Sequence, residues 1–192
     1  MEKSSGKKNT AVLISGRGSN LRSLIKYSKT KKSLIKIVLV ISDNSTAKGL
    51  YYANKSKINN IFVKYSNKRS FENRLLRLLK KNDVDLICLA GFMKILSKSF
   101  IRALNLRILN IHPSLLPKYK GLNTYERIKK NKEKKTGCTV HFVNEKLDSG
   151  KIILRKYFYI SPNDDFKVLK YNTQKLEYLA YPEAIYKLFR YN

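Results

Sequence analysis

The sequence has two cysteines, two histidines and 13 acidic residues against 41 basic ones, and each shortage narrows what the chain can be. Cys88, in the apolar run DLICLAG, and Cys138, in GCTVHFV, lie far apart and form neither a CxxC pair nor a metal-binding spacing. A disulfide framework and a zinc module are therefore excluded, and two buried free thiols in a reducing compartment are expected. No apolar stretch approaches the roughly eighteen residues of a membrane span. The charged N-terminus also lacks the apolar core of a signal peptide. The expectation is a cytoplasmic protein with no membrane partner. No internal repeat or linker divides the chain.

The scarcity of acid leaves a formal net charge of +28. Clustered Lys and Arg would point to nucleic acid, because they neutralise phosphates and release counterions. Here the bases are scattered through nearly every segment. The runs KTKK and KKNKEKK are short, and no aromatic interleaving, zinc spacing or RNA-binding signature accompanies them. Lys, Asn, Ile and Tyr share A/T-rich codons, so compositional bias accounts for the charge without a nucleic-acid partner. Such a field still raises the on-rate of a small anionic substrate.

The 192 residues, 43% of them hydrophobic, suffice for one sizeable core. Residues 1–9, MEKSSGKKN, read as a flexible polar leader, and 10–192 as a single domain. Short β-branched runs occur at 11–15, 35–42, 58–65, 85–91, 106–112, 138–143 and 151–160. In the first half they alternate with helical periodicity over Leu21–Tyr27, Thr46–Lys55 and 70–81. The alternation predicts an α/β architecture: a mostly parallel twisted sheet with helices on both faces. KIVLVI and LICLA are continuously apolar, as strands covered on both sides must be. The last three strands have less helix between them, which predicts an antiparallel edge. A final helix is expected from Asp164 as N-cap, kinked or restarted at Pro182.

Four segments carry chemistry. ISGRGSN (14–20) follows the first strand and opens the first helix. Gly16 and Gly18 let backbone pass close to a ligand, and the first helical amides can hold an anion. Leu21 stands where a dinucleotide fingerprint needs its third Gly, and the GK[ST] of a P-loop is missing. The segment is thus a tight turn or a site for a phosphorylated small molecule. In LNIHPSLLPKYKG (109–121), Asn110 and His112 are two apart on a strand and point the same way. Pro113 keeps His112 extended and stops the strand, at the sheet end where open α/β folds bind ligands. An amide donor beside an imidazole suits the oxyanion of an acyl transfer, although a His there can also merely cap a turn. In TVHFVNEKLDSG (139–150), Asp148 sits on a turn. It either folds onto its own backbone or, if it reaches His112, orients the ring and helps move a proton. LAGFMKIL (89–96) offers Phe92 and Met93 as core or as an apolar wall for an aromatic cofactor ring.

In this order, VLISGRGSNL, LAGFMKIL, LNIHPSLLPKYKG, GCTVHFV, LDSG and TQKLEYLAYP resemble the phosphoribosylglycinamide formyltransferases, folate-dependent enzymes of purine synthesis. The resemblance runs from about Thr10 to Leu188. It implies a Rossmann-like formyltransferase fold and metal-free transfer of a formyl group from 10-formyltetrahydrofolate to 5'-phosphoribosylglycinamide. By position it places the catalytic trio on Asn110, His112 and Asp148. The substrate phosphate falls on Gly16, Arg17, Gly18, Ser19 and Asn20. Glu177 falls on the acid that meets the glycinamide amine, with Gln174 one turn earlier. The pterin lies along Met93, Lys94, Ile95 and Leu96, with Val143 and Asp148 nearby. A monomer or homodimer is implied. Lys120 departs from a common Pro and Asn123 from a common His, both on the rim, and the folate-side base falls on Lys68 or Arg69. Methionyl-tRNA formyltransferase and formyltetrahydrofolate hydrolase share this core but add a further domain that 192 residues are not expected to hold. A basic nucleic-acid-binding protein on the same scaffold is the remaining alternative.

Overall fold

The apolar runs become strands and the 3.6-residue patterns become helices in the computed structural model, which describes residues 6–190. Seven strands form a sheet in the order β3-β2-β1-β4-β5-β6-β7. The chain divides into two compact units that meet in sequence between Ile108 and Leu109.

The first unit holds β1 (Lys8–Ile14), α1 (Ser19–Ser28), β2 (Ile35–Ser42), α2 (Lys48–Lys55), β3 (Asn60–Phe62), α3 (Lys68–Lys81), β4 (Leu86–Leu89) and α4 (Lys98–Ala103). β1 pairs in parallel with β2 and with β4, and β2 pairs in parallel with β3. Consecutive residues from Ala11 to Ile14 and from Leu86 to Leu89 are buried, so both faces of these strands are covered, as their unbroken apolar runs require. Phe71, Leu75, Leu78 and Leu79 form the buried stripe of α3. Asn67 caps that helix by accepting from the Ser70 amide at 2.9 Å. The short helix α4, which the periodicity does not reveal, starts from a different device. Ser97 Oγ accepts from the Phe100 amide at 3.0 Å, while buried Glu72 takes the Ser97 amide and hydroxyl, each at 2.6 Å.

β5 (Arg107–His112) begins in the first unit and carries its last residues into the second, which continues with α5 (Thr124–Lys130), β6 (Lys135–Phe142), β7 (Ile152–Tyr159) and α6 (Phe166–Arg190). β6 runs antiparallel to both β5 and β7, giving the expected antiparallel edge. Gly137 permits the β6–β7 pairing, since a Cβ there would fall 1.9 Å from the Lys156 carbonyl oxygen. Helix α6 packs on β6 and β7, and its fully buried Tyr181 donates its hydroxyl to the Leu109 carbonyl at 3.0 Å.

Several boundaries differ from the sequence expectation, among them β3, which keeps only Asn60–Phe62 of the 58–65 run, and β6, which begins at Lys135 rather than 138. Lys8 and Asn9 already belong to β1, because backbone pairing with β2 extends past the apolar run; residues 1–5 of the expected leader lie outside the described residues. The N-terminal cap of α6 is Asp165 rather than Asp164: Asp165 Oδ1 accepts from the Val168 amide at 2.8 Å, and Asp164 turns its carboxylate back to the Ser161 amide. Pro182 does not restart the helix, which is continuous to Arg190. It removes one N–H and crowds the carbonyl one turn earlier, and Ala180, Tyr181, Ala184 and Ile185, buried on either side, hold the backbone helical. Among the described residues no helix is long and apolar enough to cross a membrane.

Candidate active site

Strand alternation does for β5 what the sequence suggests. Asn110 and His112 share one face, and the register sets His141 of β6 opposite Asn110. The turn after β6 then brings in Asp148, at a left-handed φ of 46° that a short polar side chain tolerates. Gly150 tightens this turn, since a Cβ there would fall 1.8 Å from the Phe142 carbonyl oxygen. Instead of folding onto its own backbone, Asp148 reaches across. Its Oδ2 accepts from the Gly121 amide at 2.9 Å and lies 3.3 Å from His112 Nδ1. Its Oδ1 faces Asn110 Nδ2 at 3.5 Å and His141 Nε2 at 3.6 Å. The His112 and Asp148 side chains are each 7% exposed, so the pair is largely withdrawn from water.

The segment between β5 and α5 is pinned at several points. Thr139 Oγ1 donates to the Ser114 carbonyl at 2.7 Å and accepts from the Leu116 amide at 3.1 Å. Arg155 Nε donates to the Leu116 carbonyl at 2.9 Å. Tyr119, at φ 58°, donates its hydroxyl to Glu133 at 2.7 Å and turns its carbonyl onto His112 Nε2 at 2.8 Å. Both nitrogens of His112 thus face acceptors, an arrangement the imidazolium satisfies with both N–H groups. An imidazole braced by a carboxylate, with an amide donor beside it, can stabilise an oxyanion and pass a proton.

His141, within the strand run at 138–143, is a residue that the sequence does not single out. It is 1% exposed, and its Nδ1 donates to the Phe142 carbonyl at 2.8 Å while its Nε2 sits 3.3 Å from Asn110 Nδ2. Burial holds its pKa below the ordinary value, against the Phe142 carbonyl and the Asp148 charge, which pull it up. The available signal was scarcity: it is the other of the chain's two histidines.

In the first unit, the turn after β1 is built by two mutually required glycines. Gly18 caps α1 at φ 72°, and a Cβ there would fall 2.5 Å from Gly49 Cα; Gly49 in turn donates its amide to the Gly16 carbonyl at 3.1 Å. The turn is therefore locked against α2 while Gly16 remains open, with nothing within 4 Å of a built Cβ. Ser15 ties it to the expected cofactor wall by accepting from the Met93 amide at 2.9 Å. Met93 and Ile95 are exposed and Leu96 is buried. Lys94 lies over the Tyr65 ring at 4.8 Å and 3.8 Å from Asp43. Asn20 is buried in the first turn of α1, and Arg17 and Ser19 flank Gly18.

On α6, Glu177 is buried and Gln174 half-buried. Burial, and then the charge of Glu177, pushes the Cys138 thiol up to about 12 and raises the Tyr125 hydroxyl. Glu177 therefore lies close to β6 and α5, and both cysteines are buried and outside any disulfide. Val143 is half-buried just past the end of β6. The structure brings Asn110, His112 and Asp148 together in the second unit, and the glycine turn and residues 91–96 together in the first. Among the described residues no group of three or more His, Cys, Asp or Glu side chains could hold a metal ion.

A braced imidazole and an amide donor on an α/β sheet define a group-transfer enzyme of the acyl type. Residues 8–185 match the formyl transferase family, and the chain belongs to it. It is 42% identical over 181 residues to a phosphoribosylglycinamide formyltransferase of Haemophilus influenzae, covering 93% of this chain and 85% of that one. It is 41% identical over 182 residues to the trifunctional purine biosynthetic protein adenosine-3 of Bos taurus, covering 93% of this chain but spanning only 18% of that longer protein. Among solved structures, phosphoribosylglycinamide formyltransferase from Anaplasma phagocytophilum superposes with a TM-score of 0.87 at 40% identity, over 94% of this chain and 85% of that one.

Proposed function

We propose that this protein transfers the formyl group of 10-formyltetrahydrofolate to the amine of 5'-phosphoribosylglycinamide, a step of purine synthesis in the cytoplasm. The observation that carries the reading is the Asp148 carboxylate set on His112 beside Asn110, in a chain of the formyl transferase family. The amine nitrogen attacks the formyl carbon, and the carbonyl electron pair moves onto oxygen. Asn110 and the imidazolium of His112 hold that oxyanion. The amine loses a proton and N10 of the folate gains one as the C–N10 bond breaks, releasing tetrahydrofolate. Asp148 holds His112 in orientation and assists proton movement. Because the Tyr119 carbonyl holds His112 Nε2, the ring or that carbonyl must shift before Nε2 can serve the substrate.

The turn of Gly16, Arg17, Gly18, Ser19 and Asn20 takes the substrate phosphate, a reading supported by the open space beside Gly16 and the helix start behind it. Gln174 and Glu177 serve the substrate, and Met93, Lys94, Ile95, Leu96 and Val143 serve the folate. Exposed Met93 and Ile95 support the apolar wall. We read residues 10–192 as one functional domain, a monomer or homodimer, with no nucleic-acid partner. The test is to mix purified protein with glycinamide ribonucleotide and 10-formyl-5,8-dideazafolate and follow the deformylated folate by absorbance. Turnover that requires the ribonucleotide and collapses in His112→Ala supports the reading. Deformylation without ribonucleotide makes the protein a hydrolase instead, and no turnover would reject formyl transfer.

A further inference from the structure

We propose that His141 is a positioning residue that sets which end of the Asn110 amide faces the reaction. The inference rests on the formyl-transfer reading above and deepens it. β6 register places His141 directly across from Asn110. The Phe142 carbonyl, 2.8 Å from His141 Nδ1, can only accept, so that nitrogen carries the ring proton in the neutral ring and Nε2 is a bare lone pair. Nε2 lies 3.3 Å from Asn110 Nδ2 and takes one of its two protons.

The opposite amide orientation would set Asn110 Oδ1 against two acceptors, the His141 lone pair and Asp148 Oδ1, and leave a buried polar group unmet. The amide is therefore held with Nδ2 toward His141 Nε2 and Asp148 Oδ1. Its second N–H is directed toward Asp148 Oδ1 at 3.5 Å, the outer limit of a hydrogen bond, and is the donor the amide can turn to a reacting oxygen. A protonated His141 would oppose a donor to a donor and turn the amide over. The ionisable groups around His141 are Asp148 from the following turn, His112 from β5 and Lys120 from the segment before α5, while Ile152 of β7 pairs with it through the backbone. Burial favours the neutral ring.

The first measurement is the tautomer. The full chain is labelled with 15N-histidine and its ring nitrogens are read by long-range proton–nitrogen NMR near pH 7.5, with His141→Gln assigning the two ring systems. A protonated Nδ1 and bare Nε2 on His141 are expected; an Nε2–H tautomer or a charged ring would overturn the proposal. The second is steady-state kinetics. His141→Phe should lower kcat by roughly 10- to 100-fold, a fraction of what losing an oxyanion donor outright does, with KM for either substrate changed by less than about 3-fold. His141→Gln, which keeps an acceptor, should recover most of the loss. A merely structural role predicts loss of folded protein without that split or that rescue. If His141→Phe fails to fold, the wild-type tautomer and the Gln variant decide. Wild-type protein that transfers no formyl group removes the reaction reading and this inference with it. Wild-type turnover with kcat unmoved in folded His141→Phe removes this inference alone.

Discussion

Replacing Asp148 by Asn separates the charge of this carboxylate from its shape. The structure allows the exchange: an amide oxygen in the place of Oδ2 still accepts from the Gly121 amide and still faces His112 Nδ1, while the NH2 group takes the place of Oδ1, facing His141 Nε2 and Asn110 Nδ2. What is lost is the ion pair. At 3.3 Å and an effective dielectric of about 20, unit charges attract by about 5 kcal/mol. Desolvation of a buried pair offsets a large part of that, so about 2–3 kcal/mol of imidazolium stabilisation disappears. Through the transition-state relation this is roughly a 30- to 150-fold loss, and with the proton-transfer role removed as well kcat should fall by roughly 10²- to 10³-fold. KM for both substrates should stay within about 3-fold, because no lost contact reports on ground-state binding alone. The dideazafolate absorbance assay gives kcat and KM, and circular dichroism gives Tm, expected within about 4 °C of wild type for a net change near 1 kcal/mol in a chain of this size. An Asp148→Asn variant that keeps a third or more of wild-type kcat would refute the role of the charge. A Tm drop beyond about 10 °C would refute the claim that shape alone holds the loop.

Gly18→Ala places a Cβ against Gly49 at positive φ and should destabilise the protein by about 2 kcal/mol or more; thermal melting checks this, and a raised KM for the ribonucleotide with little change for the folate would tie the turn to phosphate binding. Neither cysteine should react with a thiol reagent at pH 8 in the native protein over minutes, Cys88 because it is buried and Cys138 because its thiol is pushed up to about 12, whereas two thiols should titrate in denaturant. His141 has a folded pKa below its unfolded value of about 6.5, so the unfolded chain binds the extra proton: its contribution to stability is full above 6.5 and is lost as pH falls below it. Urea midpoints at pH 7.5 and 5.5 should therefore fall further for wild type than for His141→Gln, and equal falls would contradict the assignment.

Much of this was legible from residue order, because strands buried on both faces must be continuously apolar and helices packed on one face must repeat every three or four residues. The runs at 11–14, 35–42 and 86–89 became parallel strands, and Phe71 to Leu79 became a buried stripe, for those reasons. Elements shorter than two helical turns, such as α4 and α5, left no period to read and depend on caps and neighbouring loops. Pro182 shows the limit of local rules. Its intrinsic preference is to break a helix, and burial of the residues around it outweighs the one hydrogen bond it removes.

The sequence by itself determined the alternation of strand and helix, the common face of Asn110 and His112, the stop at Pro113 and the glycine turn after the first strand, because each follows from backbone geometry within a few residues. Only the tertiary structure decided which of two roles Asp148 plays, that the Tyr119 carbonyl holds His112 Nε2, and that His141 lies against Asn110. Those relations join residues that are 7 to 38 positions apart. They depend on strand register and on where a pinned loop returns, and hydrogen-bond chemistry can act on them only after packing has brought the groups within about 3 Å.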